Sequence, residues 1–202
     1  MMEDALIELG NIHKYERSTA FHVAIFGSAR IGKECAYYSQ TEELAYLLAA
    51  SGCQLISGGG PGIMLAVSEG AVRADKLSIG LNISLPFEPP DYSLQGESFV
   101  FKNFFTRKVA FVTYSDAFIC MPGGVGTLDE LFEILTLMQT GRMERKPIVL
   151  FGKEFWSPLI GWLQDVLNRH KTIAYDDIEQ LFLTDDSQEV VMHLMKSITK
   201  GG

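Results

Sequence analysis

The sequence predicts an α/β protein: a doubly wound, mostly parallel sheet of six to seven strands with helices on both faces. Short runs rich in β-branched and aromatic residues alternate with longer helical patterns along all 202 residues, as successive strand–helix–strand units require. Several of the short runs are apolar at consecutive positions rather than every second one, as in FHVAIFG (21–27) and PIVLFG (147–152). Strands covered by helices on both sides have that character. No internal repeat, low-complexity tract or composition break marks a linker, so residues 1–202 are expected to form a single domain.

Taken in order, a helix is expected around 3–17, followed by FHVAIFG as the first strand and a helix over 33–51. CQLISGG (53–59) reads as the second strand, with a helix over 62–74, and LSIGLNISL (77–85) as the third, with a helix over 99–114. DAFICM (116–121) and PIVLFG follow as strands, with helices over 127–140 and 154–170; LFLTD (181–185) and a helix over 187–199 close the chain. Each helix begins a few residues after a strand, so strand C-termini and helix N-termini should gather on one edge. That is the Rossmann-like arrangement, and such an edge is where open α/β sheets bind ligands.

Composition narrows the ligand. A formal charge of −8 leaves no broad basic face for a nucleic-acid polymer, although one small phosphate needs only local dipoles and a cation or two. Cys35, Cys53 and Cys120 are isolated in or beside apolar runs, and His13, His22, His170 and His193 are scattered, so neither a disulfide framework nor a protein-bound catalytic metal is expected. The start, MMEDALIELGN, is acidic and lacks a basic region followed by an apolar one, and no apolar run approaches the ~20 residues of a membrane span. A cytoplasmic protein without membrane contact is the expectation.

Three strands run into glycine-bearing turns: FGSARIG, SGGGPGIM and MPGGVGT. Glycine lets backbone N–H groups approach a ligand, and the helix start behind each turn favours an anion. Any one turn could be steric punctuation alone; three on one edge point to a phosphorylated ligand, with Gly27, Ser28, Gly59, Gly60, Gly123, Gly124 and Gly126 as candidate contacts. GSARIG departs from the dinucleotide fingerprint at Ala29, and Ser57 and Gly58 stand where an acidic residue should hold the ribose. A nicotinamide dehydrogenase is therefore disfavoured, and the lysine-bearing P-loop pattern is absent.

PGGVGTLDE (122–130) resembles the PGGxGTxxE hallmark of the LOG (Lonely Guy) family of nucleoside 5′-monophosphate phosphoribohydrolases. The family's Arg-Lys pair is matched by Arg107 and Lys108 in FFTRKVAF, its GGG loop by SGGGPGIM and its early GS turn by FGSAR. These motifs span residues 21 to about 151 in the family's order. Members are often described as possible lysine decarboxylases, but nothing in the sequence suggests a pyridoxal phosphate site. The resemblance implies hydrolysis of a nucleoside 5′-monophosphate, AMP or an N6-substituted AMP, to free base and ribose 5-phosphate, with no cofactor, by a homodimer in contact around 99–140. It also implies that Arg107 and Glu130 are catalytic, and that Lys108 and the loop from Gly123 to Thr127 contact the nucleotide.

Glu88 falls near the family's substrate-binding glutamate, with Glu97 competing for that role. Phe104 and Asp129 join the substrate-binding set, although a residue such as Phe104 more often belongs to the core and Asp129 to helix-dipole stabilisation or a solvated face. Phe104, Phe105 and Thr106 stand where plant members carry a methionine and a histidine, and TLDELFEILTLMQTGRM resembles a bacterial branch.

Chemistry supports the pair. Breaking an N-glycosidic bond builds positive charge on the ribose, which a nearby carboxylate stabilises while it orients or deprotonates water. Glu130 is expected on the first turn of the helix whose start holds the phosphate. Arg107 stays cationic at neutral pH and can keep that carboxylate ionised. Two alternatives stay open: Thr127 and Glu130 have capping-box spacing, and phosphate-cradling loops would equally serve a nucleotide sensor or a molybdenum-cofactor carrier.

Overall fold

The computed structural model describes residues 2–84, 93–174 and 176–200. Among these, helix α1 (Met2–Lys14) precedes seven strands: β1 (His22–Phe26), β2 (Gln54–Ser57), β3 (Ser78–Ile83), β4 (Gln95–Phe101), β5 (Ala117–Cys120), β6 (Ile148–Phe151) and β7 (Leu181–Thr184). Interspersed are α2 (Ala36–Ala50), α3 (Ile63–Arg73), α4 (Phe104–Tyr114), α5 (Val125–Gln139), α6 (Lys153–Trp162), the short α7 (Asp176–Glu179) and α8 (Ser187–Lys200). The strands form one sheet in the order β4-β3-β2-β1-β5-β6-β7, and every pairing is parallel.

The consecutive apolar positions of the central strands divide between two cores. Ala24, Phe26, Phe118, Cys120, Ile148 and Leu150 face a layer made by α4, α5 and α6. Their neighbours Val23, Ile25, Ala117, Ile119, Val149 and Phe151 face α2, α3 and α8. Side chains alternate across a strand, so a strand buried on both faces must be apolar at every residue. All five residues of β1 and all four of β5 and β6 are buried. Each large side chain so enclosed, such as Phe118, contributes about 1.5–3 kcal/mol.

The strand order reverses between β1 and β5. α2 leaves β1 toward one face and α5 leaves β5 toward the other, so their connecting loops part and open a crevice at the C-terminal edge. Helix α5 ends where Gly141 takes the left-handed conformation at φ +66. The Arg142 N–H then donates to Leu137 C=O at 2.8 Å and the Gly141 N–H to Met138 C=O at 3.1 Å, closing a Schellman motif.

Three expectations need correcting. The helix expected from residue 99 begins at Phe104, because Gln95–Phe101 is an edge strand pairing with β3 through a bulge at Ser78/Ile79. The helix expected over 127–140 begins at Val125, with Gly124 as its N-cap. Thr127 is therefore its third residue and Glu130 its sixth, which puts Glu130 on the second turn rather than the first. The helix expected over 154–170 is α6 followed by a π-helical stretch, Leu163–Asn168. Among the described residues no helix is long and apolar enough to cross a membrane.

Candidate active site

Three loops close over the crevice, and one residue ties them together. The Ser28 N–H, after β1, donates to Pro122 C=O after β5 at 3.1 Å, while Ser28 C=O accepts from the Ile63 N–H after β2, also at 3.1 Å. Glycine permits this approach. Gly62 has φ +68, and a Cβ there would overlap the Ser28 carbonyl and the Ala29 backbone. A Cβ on Gly27 would lie 2.5 Å from the Ile63 side chain. The Ser28 hydroxyl accepts from the Arg30 N–H at 3.1 Å, curling the first loop around its own start.

The loops enclose a cavity of about 530 Å³. Gly27, Ser28, Gly124, Gly126 and Thr127 line it, with Arg107 and Glu130 in its wall. Gly124 and Gly126 face open space where a Cβ would stand, whereas Gly123 packs against the Thr127 side chain, which is buried. Because α5 begins ahead of Thr127, the first-turn N–H groups lie at Val125, Gly126 and Thr127, beside the cavity. That placement also removes the capping-box reading, which needs Thr127 outside the helix.

Arg107 projects from α4. Its guanidinium carbon lies 5.3 Å from the Phe104 ring centre and 5.8 Å from that of Phe111, the aromatic residues three before and four after it. Nη2 sits 3.5 Å from Glu130 Oε1, and the two side chains are 13% and 14% exposed, so the pair is loose yet largely removed from water. Burial pushes the Glu130 carboxyl up to about 7, with Arg107 only partly opposing. Burial also lowers the Arg107 guanidinium, against the pull of Glu130. Its Nε is buried without a hydrogen-bond partner among the described residues, a donor available to a ligand oxygen.

The remaining expected residues stand elsewhere. Lys108 reaches Asp129 at 3.2 Å and Glu133 at 2.9 Å, linking α4 to α5 outside the cavity lining. Gly59, at φ +69, supports its loop from behind: a Cβ would collide with Asn82 Oδ1. Gly60 lies against the Met64 side chain. Phe104 is 56% exposed and is engaged by Arg107. Glu88 lies outside the described residues, and Glu97 sits on β4, where it accepts from the Tyr15 hydroxyl at 3.1 Å.

Sequence reasoning missed Arg30, Gly58, Met64 and Phe111, all of which line the cavity. Arg30 carried a legible signal, being the cation inside the first glycine turn. Among the described residues the cavity charges are Arg30, Arg107 and Glu130, two cations to one carboxyl within a chain of net charge −8.

The family model described as "possible lysine decarboxylase" matches residues 64–194. The chain belongs to that family, the LOG family. Among curated members, the cytokinin riboside 5′-monophosphate phosphoribohydrolase LOG of Oryza sativa subsp. japonica is 29% identical over 184 residues, 89% of this chain and 75% of that protein. The cytokinin riboside 5′-monophosphate phosphoribohydrolase of Rhodococcoides fascians is 28% identical over 174 residues, 81% of this chain and 88% of its own. LOG-family architecture extends to solved structures of lower identity. The molybdenum cofactor binding protein of Rippkaea orientalis superposes with a TM-score of 0.62 at 24% identity, over 92% of this chain and 99% of that one. The molybdenum cofactor carrier protein of Chlamydomonas reinhardtii gives 0.64 at 16%, over 89% and 99%. These likenesses establish a Rossmann-like fold.

Proposed function

We propose that the protein is a nucleoside 5′-monophosphate phosphoribohydrolase, cleaving AMP or an N6-substituted AMP to free base and ribose 5-phosphate. The observation that carries this reading is the Arg107–Glu130 pair set in the wall of the cavity, beside the start of α5. The names of the curated relatives support the reaction class.

In this reading the phosphate docks on the N–H groups at Gly124–Thr127, with the Ser28 hydroxyl and Arg30 as further donors. Ile25, Phe26, Met64 and Phe111 supply apolar wall for the nucleoside. Glu130, half ionised near neutrality, offsets the charge that grows on the ribose as the C1′–N bond breaks and accepts a proton from the attacking water, while the departing base takes its proton from solvent. Arg107 biases Glu130 toward its ionised form and offers its free Nε–H to a substrate oxygen. Lys108 and Asp129 act from outside, through the tether between α4 and α5. The protein works as a homodimer, for which the exposed Phe105, Val109 and Val125 form the candidate surface.

Chromatography of products from a panel of nucleoside mono-, di- and triphosphates tests the proposal. Release of adenine from AMP, abolished in Glu130→Ala, is the expected result. A nucleotide or pterin retained intact after purification, with no turnover on the panel, would establish carriage instead.

A further inference from the structure

The N-terminal helix braces the start of α4. Asn103, the N-cap of α4, makes no side-chain capping bond, so the helix that bears Arg107 has no cap of its own. Glu8 of α1 caps none of its first-turn N–H groups but binds the segment that leads into it and a side chain of its first turn. Its Oε1 accepts from the Lys102 N–H at 2.6 Å, its Oε2 accepts from Asn103 Nδ2 at 3.1 Å, and the same Oε2 competes with Asn103 C=O, 2.8 Å away, for the single proton of the Thr106 hydroxyl. A turn earlier, Asp4 holds the Lys102 ammonium at 2.7 Å. At the far end of α4 the Tyr114 hydroxyl donates to Ile12 C=O at 3.3 Å, and the Tyr15 and Tyr114 rings lie 4.7 Å apart. Helix α1 therefore grips α4 at both ends, and it lies outside the residues matched by the family model.

Thr106, a receiver of this grip, is wholly buried and is followed directly by Arg107. The Arg107–Glu130 separation of 3.5 Å exceeds the ~2.7–2.9 Å of a tight charge-assisted bond, so little movement of α4 is needed to lose the pair. We propose that Glu8 is a positioning residue: from α1 it seats the first turn of α4 and thereby sets the reach of the Arg107 guanidinium to the Glu130 carboxylate. Burial works to raise the Glu8 carboxyl, and the bonds from Lys102, Thr106 and Asn103 override it, keeping the group below the ordinary range and ionised at neutral pH. A glutamine retains a single carbonyl oxygen and meets only part of this donor set.

The inference rests on the hydrolase reading for its kinetic test and stands apart from it in a second one. In Glu8→Ala, assayed where circular dichroism shows a native fold, kcat for AMP falls about 10-fold or more, on the scale of a misplaced catalytic group, while KM stays within about threefold. Glu8→Gln falls between the two. Combined with Arg107→Ala, Glu8→Ala produces no further loss, because coupled residues are non-additive.

Carbon-13 NMR of the Glu130 carboxyl reads the same seating without turnover: its midpoint moves upward in Glu8→Ala and less in Glu8→Gln as the guanidinium draws away. An unmoved midpoint together with wild-type kcat, or an equal loss with Arg107 already removed, would overturn the proposal. If the wild type cleaves no nucleotide, the hydrolase reading falls and the Glu130 titration alone decides this one. Should Glu8→Ala fail to fold, Glu8→Gln and Thr106→Val carry both readouts.

Discussion

Arg107 and Glu130 stand 3.5 Å apart, drawn from different helices, each side chain less than 15% exposed. Removing the carboxyl should cost activity without costing the fold. Glu130→Gln is expected to lower kcat for nucleotide cleavage by about 10²–10⁴-fold with an unchanged far-ultraviolet circular dichroism spectrum. A rate within tenfold of wild type would exclude Glu130 as the base.

The pH profile follows from the same burial. A base with its carboxyl raised to about 7 works only when ionised. The rate constant kcat/KM should therefore climb tenfold per pH unit below that value and level off above it. Arg107 remains cationic across the range and adds no second limb. Steady-state assays from pH 5 to 9 check this; a flat profile would assign the chemistry to another group.

Stability should run the opposite way. Glu130 binds its proton more tightly folded, near 7, than unfolded, near 4.5. Its contribution is thus fully present below pH 4.5 and is lost as pH rises through 7, on the order of 3 kcal/mol. Glu8 and Glu69, held below the ordinary range, act with the opposite sign and lose their contribution only as pH falls, so the difference between wild type and Glu130→Gln isolates the effect. Urea unfolding at pH 5 and pH 8 should show the variant losing less stability than wild type across that interval.

Arg30 and Ser28 were proposed above as donors to the phosphate. Arg30→Gln should raise KM for AMP about tenfold or more while kcat changes little, the mark of binding lost equally from ground and transition states. Inhibition by ribose 5-phosphate should weaken in parallel. An unaltered KM would leave the phosphate to the backbone alone.

The glycines divide into two kinds, and substitution separates them. Gly126→Ala meets open space in the first turn of α5, so it should leave the fold at least as stable while impairing nucleotide binding at the cavity wall. Gly59→Ala combines a φ of +69 with a clash against Asn82 and should destabilise by about 1–3 kcal/mol. Thermal denaturation paired with titration calorimetry distinguishes them.

Much of this was legible in the amino-acid order, for physical reasons. β1, β5 and β6 announced themselves because burial on both faces demands unbroken apolar runs. β4 escaped because an edge strand is under no such demand: Gly96, Glu97, Ser98 and Val100 are exposed, and the apolar Phe99 to Phe101 reads as the approach to α4. Glu130 could be singled out by its place in PGGVGTLDE, but its turn of helix could not, since Val125 is 84% exposed and gives no sign that the helix has begun. Met64 stayed hidden because only the parallel pairing of β1 with β2 brings the loops after them to one cavity. Lys108 was expected to contact the nucleotide beside Arg107; adjacent positions on a helix point about 100° apart, and that rotation delivers Arg107 to Glu130 and Lys108 to Glu133.

The stitching of three loops through the Ser28 peptide bears on biosynthesis. Ile63 is made well after Ser28, and Pro122 far later still, so a chain emerging from the ribosome can complete β1, β2 and β3 with no binding pocket at all. Ligand can reward folding only once α5 has been synthesised and docked. On the proposed function, a nucleotide is expected to protect the finished protein against unfolding yet give no help to its nascent N-terminal half.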